Sequence, residues 1–145
     1  MKSTEQVLAF LSFLAEMHSI FRHAHLFSES CPALCNVSTL VIPFKGRTSD
    51  YADEGVTVSI ALSADLRKPI DRERRAIGMS FLLRHAEGHW RAETEAGWIG
   101  EEVGWDPFDS RETQSTSIEE IISNVSPLVE WADVRFRAEV AKLSS

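Results

Sequence analysis

The sequence predicts a single α+β domain, in which an antiparallel sheet of about four to five strands carries an N-terminal and a C-terminal helix on one face. Three observations predict this fold. Apolar residues recur at helical spacing near both ends of the chain, the middle of the chain alternates apolar and polar residues, and two of the alternating segments fit together as a hairpin. The length of 145 residues suits one domain, 1–145, with a sizeable core.

The first helix is predicted by an apolar stripe at helical spacing between Val7 and Phe21. A capping-box pattern formed by Ser3 and Gln6 places its start near residue 4, and turn formers followed by a proline predict its end between residues 23 and 30. The stretch VLAFLSFLA has the length of a signal-peptide core. Acidic flanks and the lack of a small-residue cleavage site indicate that it belongs to the fold.

Two strands are predicted ahead of the hairpin. Residues 36–44, NVSTLVIPF, are rich in β-branched side chains and predict a strand ended by Pro43. Residues 56–62, VTVSIAL, alternate cleanly and predict a half-buried strand. The polar segment 45–55 is a loop by composition, and the basic, proline-interrupted segment 63–75 is predicted as a long connection or a short surface helix.

The hairpin is the most specific structural prediction. Residues 77–85 and 89–98 both alternate, and a two-residue Glu-Gly turn at 87–88 puts both apolar sets on the same face of the sheet. Phe81 then lies opposite Thr94. A slip of one residue would split the two apolar sets, so the register is well determined.

The rest of the chain is predicted as a loop and a helix. Residues 105–117 fit the remnant of a strand followed by a loop. Ser117 and Glu120 form a second capping box, and an apolar helical face continues from there to Val140. Because Pro127 interrupts this face, we expect a kink or two abutting helices with Pro127 in a first turn.

Charge and composition limit the classes of partner. The net charge of −7 argues against binding to phosphate backbones, and no run approaches the roughly 18 apolar residues that a membrane span needs. Two cysteines in a chain of this length are typical of a reducing compartment, so a cytoplasmic location is predicted. The predicted partner is therefore a protein, without nucleic acid or membrane, and the chain is expected to be a monomer or homodimer.

The sequence offers only weak candidates for a metal site or a catalytic site. His23, His25, Cys31 and Cys35 are residue types that bind zinc, but their spacing matches no known zinc motif, and a disulfide between the two cysteines is a further alternative. A cysteine nucleophile with His25 as its base is another alternative, although no common catalytic or nucleotide-binding motif is present. The prediction is a protein with no catalytic residues, no bound metal and no cofactor.

The remaining signal is charge segregation. Residues 87–112 hold eight acids and two arginines, whereas residues 63–75 hold five basic residues and three acids. The hairpin accounts for its own tryptophans as core, but not for the carboxylates and the tryptophan of GEEVGWDPFD. Aromatic residues among charged ones are typical of protein-binding hot spots. The predicted partner-binding residues are Glu93, Glu95, Glu101, Glu102, Trp105, Asp106 and Asp109.

The strand WRAETEAGW, the acidic glycine-rich turn after it and the closing helix SIEEIISNVSPLVEWADVRF resemble bacterial immunity proteins of polymorphic toxin systems, most closely the TriTu type. The resemblance covers about residues 77–140 and implies a non-catalytic protein that binds a toxin domain and neutralises it. An acidic surface would suit a basic toxin cleft.

Two alternatives stay open. One is a small acidic secretion chaperone, which would be a dimer with exposed apolar grooves. The other is a small-molecule-binding or enzymatic domain, which would need a deep pocket with converging polar groups.

Overall fold

Two long helices pack on one face of a five-stranded antiparallel sheet, in a computed structural model that describes residues 4–45, 56–86 and 88–143. The strands are joined in sequence order, so each pairs with its neighbours along the chain. This is the predicted α+β fold. Its elements are α1 (Thr4–Glu29), β1 (Leu34–Lys45), β2 (Val56–Leu66), β3 (Ala76–Ala86), β4 (His89–Ile99), β5 (Trp105–Ser115) and α2 (Ile118–Leu143).

The hairpin of β3 and β4 has the predicted register. Phe81 lies opposite Thr94, and Ala86 lies opposite His89 at the turn. Gly88 adopts the left-handed conformation, with φ of 78°, which glycine reaches without steric cost. The other residue of the predicted turn, Glu87, lies outside the described residues.

The core lies between the sheet and the two helices. Phe21 of α1, Phe81 of β3 and Phe136 of α2 are fully buried and belong to one cluster. The strands contribute alternate residues to that cluster, as the two-residue period of a strand requires. The one buried polar side chain of β4, Thr94, satisfies its hydroxyl by donating a hydrogen bond to the Ser80 carbonyl at 3.0 Å.

Helix α1 and strand β1 follow the predictions closely. Helix α1 begins at Thr4 and ends inside the predicted window, although Ser3 of the capping box lies outside the described residues. Strand β1 continues past Pro43 instead of ending there. It is an edge strand, so a proline that lacks an N–H need not interrupt the sheet. Of the predicted loop, 46–55 lies outside the described residues.

Two strand predictions are wrong in extent. Strand β2 continues to Leu66, and the stretch predicted as a strand remnant and loop is the complete strand β5. β5 pairs with β4 from Trp105 opposite Ile99 to Ser115 opposite Trp90. Its composition is polar because it is an edge strand with many exposed side chains, so alternation is a weak signal there.

Of the two alternatives expected at Pro127, the break into two abutting helices with Pro127 in a first turn is wrong, because α2 is a single helix with that proline inside it. Pro127 is exposed, whereas Val125 and Val129 on either side of it are buried. Its ring therefore lies on the solvent side, where water can hydrogen-bond to the freed carbonyl. The continuous apolar face against the sheet stabilises the helix on both sides of the proline.

Candidate partner-binding site

The face of the sheet away from the helices, called the open face below, has a different composition from the core face. Cross-strand pairing places Ser80 beside Ala61 of β2 and Glu95 of β4, and it places Leu82 beside Glu93. The open face therefore carries small and acidic side chains at its centre. This placement of Glu93 and Glu95 is the one that the hairpin register predicts.

A groove crosses the open face from β2 to β5. Its larger part has a cavity volume of about 390 Å³, its smaller part has about 280 Å³, and both are lined by Glu93 and Glu95. The groove is wide enough for side chains because its floor is made of small residues. The floor and walls of the larger part include Ala61, Ser63, Ser80, Leu82, Ile99 and Trp105.

A pair of glycines explains why Trp105 lies on this face. Gly78 and Gly97 are direct partners across β3 and β4. A methyl group on Gly78 would lie 3.5 Å from the Trp105 ring and 2.6 Å from the Leu62 carbonyl oxygen. A methyl group on Gly97 would lie 2.8 Å from the Cα of Pro107, where β5 is bulged. Gly97 thus allows the bulged strand β5 to approach β4 closely, and Gly78 allows the indole of Trp105 to lie against the sheet.

The indole of Trp105 orients one carboxylate of the groove. Its Nε1–H donates a hydrogen bond to Oε1 of Glu95 at 3.0 Å. Both residues are half-buried. Within the described ranges no ion pair joins Glu95 to a cationic side chain. Glu95 is therefore held in place by a neutral donor, and its negative charge is uncompensated.

The neighbouring carboxylates differ, because Arg91 compensates both of them. Its guanidinium Nη2 lies 2.6 Å from Glu93 and 2.5 Å from Glu112. Partial burial opposes the charged form of Arg91, but the two carboxylates outweigh this effect and raise the pKa of the guanidinium. Arg84 lies opposite Arg91, toward the β3–β4 turn. The positive charge of the open face is thus at the turn end, away from Trp105.

The two loop carboxylates, Glu101 and Glu102, are paired within the fold. Arg72 contacts Glu101 at 3.2 Å and Glu102 at 2.9 Å, and Arg75 contacts Glu101 at 2.6 Å. In return, the carboxylate of Glu73 accepts hydrogen bonds from the backbone N–H groups of the β4–β5 loop. The expectation that structure does not account for the loop carboxylates is wrong. The charge segregation along the chain is charge complementarity between two adjacent loops.

The last two predicted residues lie apart from the groove. Asp109 faces the helices and is 3.3 Å from Arg135, whose guanidinium also stacks on Phe108 with 4.5 Å to the ring centroid. Asp106 is exposed and pairs with Trp98 beside the bulge. Of the seven predicted residues, the structure brings only three together on the open face: Glu93, Glu95 and Trp105.

Sequence reasoning missed the residues that shape the groove. The small residues of its floor, such as Ala61, Ser63 and Ser80, repeat at every second position along β2 and β3, and this repeat is visible in the sequence. The role of Gly78 is also signalled, because a glycine in the interior of a strand often marks a close approach. The role of Arg91 could not be predicted without the register of β5, because that register brings Glu112 beside it, and composition did not predict β5.

The cysteine and histidine candidates form no centre of their own. Cys31 and Cys35 are free thiols, and burial raises the pKa of Cys31 against the opposing effect of Arg137. Among the residues that the structure describes, no group of three or more His, Cys, Asp or Glu side chains could hold a metal ion. None of the described helices is both long and apolar enough to cross a membrane.

A scan against models of protein families, a search of curated proteins and a search of solved structures gave no match to this chain.

Proposed function

We propose that this protein is a non-catalytic binding protein that recognises a protein partner through the open face of its sheet, and that it acts as an immunity protein against a bacterial toxin domain. The observation that carries the proposal is the groove itself. It combines a half-buried indole, small floor residues and the carboxylates of Glu93 and Glu95 on a sheet. Aromatic side chains beside charge on a rigid scaffold are typical of protein-binding surfaces.

The negative net charge of the chain supports the proposal that the partner is basic. The chain carries a net charge of −7, and the carboxylates of the loop and of Asp109 are mostly paired internally. The acidic groups left to attract a partner therefore include Glu95 of the open face, which has no ion-paired partner among the described residues. A toxin that acts on nucleic acid presents a basic cleft, and an acidic face would steer its approach and cover that cleft. The interaction would take place in the cytoplasm, which agrees with the two free thiols.

The distribution of exposed apolar residues favours this function over a dimeric secretion chaperone. A chaperone of that class needs contiguous apolar patches. Among the residues whose side-chain exposure the structure describes, 14–40, 59–85 and 88–143, the large exposed apolar side chains lie on five different elements or loops, as single residues. They are Leu26, Leu40, Ile70, Val103 and Val134.

The contacts within the groove favour binding over catalysis. General acid–base catalysis needs a titratable side chain that can exchange a proton with a bound substrate. Glu93 is instead ion-paired with Arg91, and Glu95 is held by the indole N–H of Trp105. Each carboxylate has a partner that fixes its position, as a recognition surface requires.

The test is a co-expression experiment with the domain encoded at the end of the neighbouring toxin gene. Expressed alone, that domain should stop growth, and co-expression with this chain should restore growth and give a complex on gel filtration. The double charge reversal E93K/E95K should abolish both effects. The matched control E16K/E130K makes the same change of charge on exposed helix positions and should retain both effects. Absence of a toxin gene beside this one, or full protection by E93K/E95K, would contradict the proposal.

A further inference from the structure

We propose that Glu95 and Trp105 form a preformed receptor for one cationic side chain, a lysine or arginine that the partner protein inserts into the groove. This inference rests on the proposed binding function of the open face and assigns the chemistry of its central contact. It distinguishes Glu95 from the two other carboxylates that line the groove, Glu93 and Glu112, by its surroundings.

The charge pattern selects Glu95 as the point of contact. Glu93 and Glu112 share the guanidinium of Arg91, and the loop carboxylates are paired with arginines of the β2–β3 connection. Within the described ranges Glu95 has only the neutral indole donor at 3.0 Å. Arg111 also lines the smaller part of the groove, but its guanidinium stacks on Trp131 and, among the described residues, forms no ion pair with Glu95. A cation that enters the groove therefore finds a carboxylate with no ion-paired arginine to displace.

The receptor is ordered before the partner arrives. The Trp105 ring lies over Gly78, and its N–H fixes one oxygen of the Glu95 carboxylate, which leaves the other oxygen free to accept. A side chain that is already ordered loses little conformational entropy on binding, so more of the contact energy appears as affinity. An indole beside a carboxylate attracts a cation twice, through the ring quadrupole and through the charge.

The shape of the groove suits a cation on an aliphatic stem. The cavity of about 390 Å³ is walled by Leu82 and Ile99 and floored by Ala61, so methylene groups would pack on apolar surface while the charge reaches Glu95. An uncharged aliphatic side chain would remove water from Glu95 without a compensating charge. An acidic side chain would be repelled. The groove therefore discriminates by charge as well as by fit.

The experiment follows the indole N–H of Trp105 by nitrogen-15 NMR during a peptide titration. The chain has four tryptophans, so the indole region holds four signals, and W105F identifies the one of interest. The probes are the pentapeptide Ac-Gly-Gly-Lys-Gly-Gly-NH2, its arginine analogue and the same peptide with uncharged norleucine. We expect saturable shifts of the Trp105 signal by the lysine or arginine probe, with a dissociation constant on the order of millimolar, and no saturable shift by the norleucine probe.

The variant E95Q should weaken binding of the cationic probe about 5- to 10-fold, while its amide oxygen still accepts the indole hydrogen bond and preserves the fold. The control E130Q removes an exposed charge from α2 and should leave the affinity unchanged. Equal affinity of E95Q and the unaltered protein, or equal binding of the norleucine probe, would overturn the proposal. So would tighter binding of n-butylamine than of the lysine pentapeptide, because the receptor would then take a free amine and not a protein side chain.

The two proposals can fail separately. If the cationic probes bind at Trp105 but no toxin domain is neutralised, the immunity function is wrong and the receptor stands. If E93K/E95K abolishes neutralisation while no cationic probe shifts the Trp105 signal, the proposed cation receptor is contradicted. The proposal that the partner binds to the open face is then still supported.

Discussion

The two faces of strand β3 show how one sheet serves two purposes. Phe81 points to the helices and is fully buried in the core, whereas Leu82, the next residue, lines the groove and is half-buried. The same contrast separates Thr94 from Glu95 on the neighbouring strand. The covered face is filled with large side chains that form the core, and the centre of the open face carries small side chains that leave a groove.

The largest expected effect tests this contrast directly. Phe81→Ala removes a fully buried ring between the sheet and the helices and should lower the free energy of unfolding by about 3–5 kcal/mol. The neighbouring change Leu82→Ala should cost about 1 kcal/mol or less, because its site is open to solvent. Urea denaturation measures both values. Equal losses for the two variants would mean that the open face is part of the core.

A smaller effect is expected at the glycine beneath Trp105. The methyl group of Gly78→Ala would meet the Leu62 carbonyl oxygen at 2.6 Å, so the backbone must shift, and we expect a loss of about 1–3 kcal/mol. The indole signal of Trp105 should move as well, since the ring lies 3.5 Å from the same methyl position. Ser80→Ala, on the same face two residues away, is the control and should change stability by less than about 0.5 kcal/mol. A neutral Gly78→Ala would show that the glycine does not seat the indole.

The loop ion pairs should contribute less still. Arg72→Gln breaks the contacts to Glu101 and Glu102, but all three side chains are largely exposed. We therefore expect a loss of about 0.2–1 kcal/mol, which shrinks further at high salt. Thermal unfolding at low and high ionic strength gives both quantities. A loss of several kcal/mol that salt does not reduce would mean that these pairs hold the two loops more firmly than surface pairs do.

The smallest expected effect is chemical and concerns Cys31. Burial raises the pKa of its thiol, so a smaller fraction is thiolate in the folded protein than in the unfolded one at the same pH. Because the thiolate is the reactive form, iodoacetamide should modify Cys31 more slowly in the folded protein, and the difference should narrow as the pH rises through the folded pKa. Mass spectrometry of the alkylated peptides measures the rates. A faster reaction in the folded protein would contradict the direction of the shift.

The sequence was sufficient for the parts of the fold in which local pattern and tertiary packing agree. The β3–β4 register could be predicted because a one-residue slip would have moved Phe81 away from the core. The full extent of β5 could not be predicted, because an edge strand with exposed charges lacks the alternation that marks a half-buried strand. The break expected at Pro127 failed because packing on both sides of the proline outweighed the one lost hydrogen bond.

The candidate site was predictable only in part, for a related reason. The hairpin register predicts from the sequence alone that Glu93 and Glu95 lie on the face of the sheet opposite the core. Whether a carboxylate is compensated depends on contacts between distant segments, such as Arg72 with Glu101, and composition does not reveal those contacts. The sequence therefore showed the acidic region, but it could not show which of its carboxylates have cationic partners in the fold.

Two carboxylates differ in their surroundings: Glu102 in the β4–β5 loop is paired with Arg72, whereas Glu95 on the open face has no ion-paired partner among the described residues. The measurement is the affinity of the proposed toxin domain for the unaltered protein, for E95Q and for E102Q, by calorimetry at two salt concentrations. E95Q should weaken binding about 10-fold or more, because it removes an uncompensated charge from the centre of the interface. E102Q should change the affinity by less than about 2-fold, since that carboxylate is paired with Arg72. Equal losses, or a larger loss for E102Q, would contradict the assignment of binding to the open face.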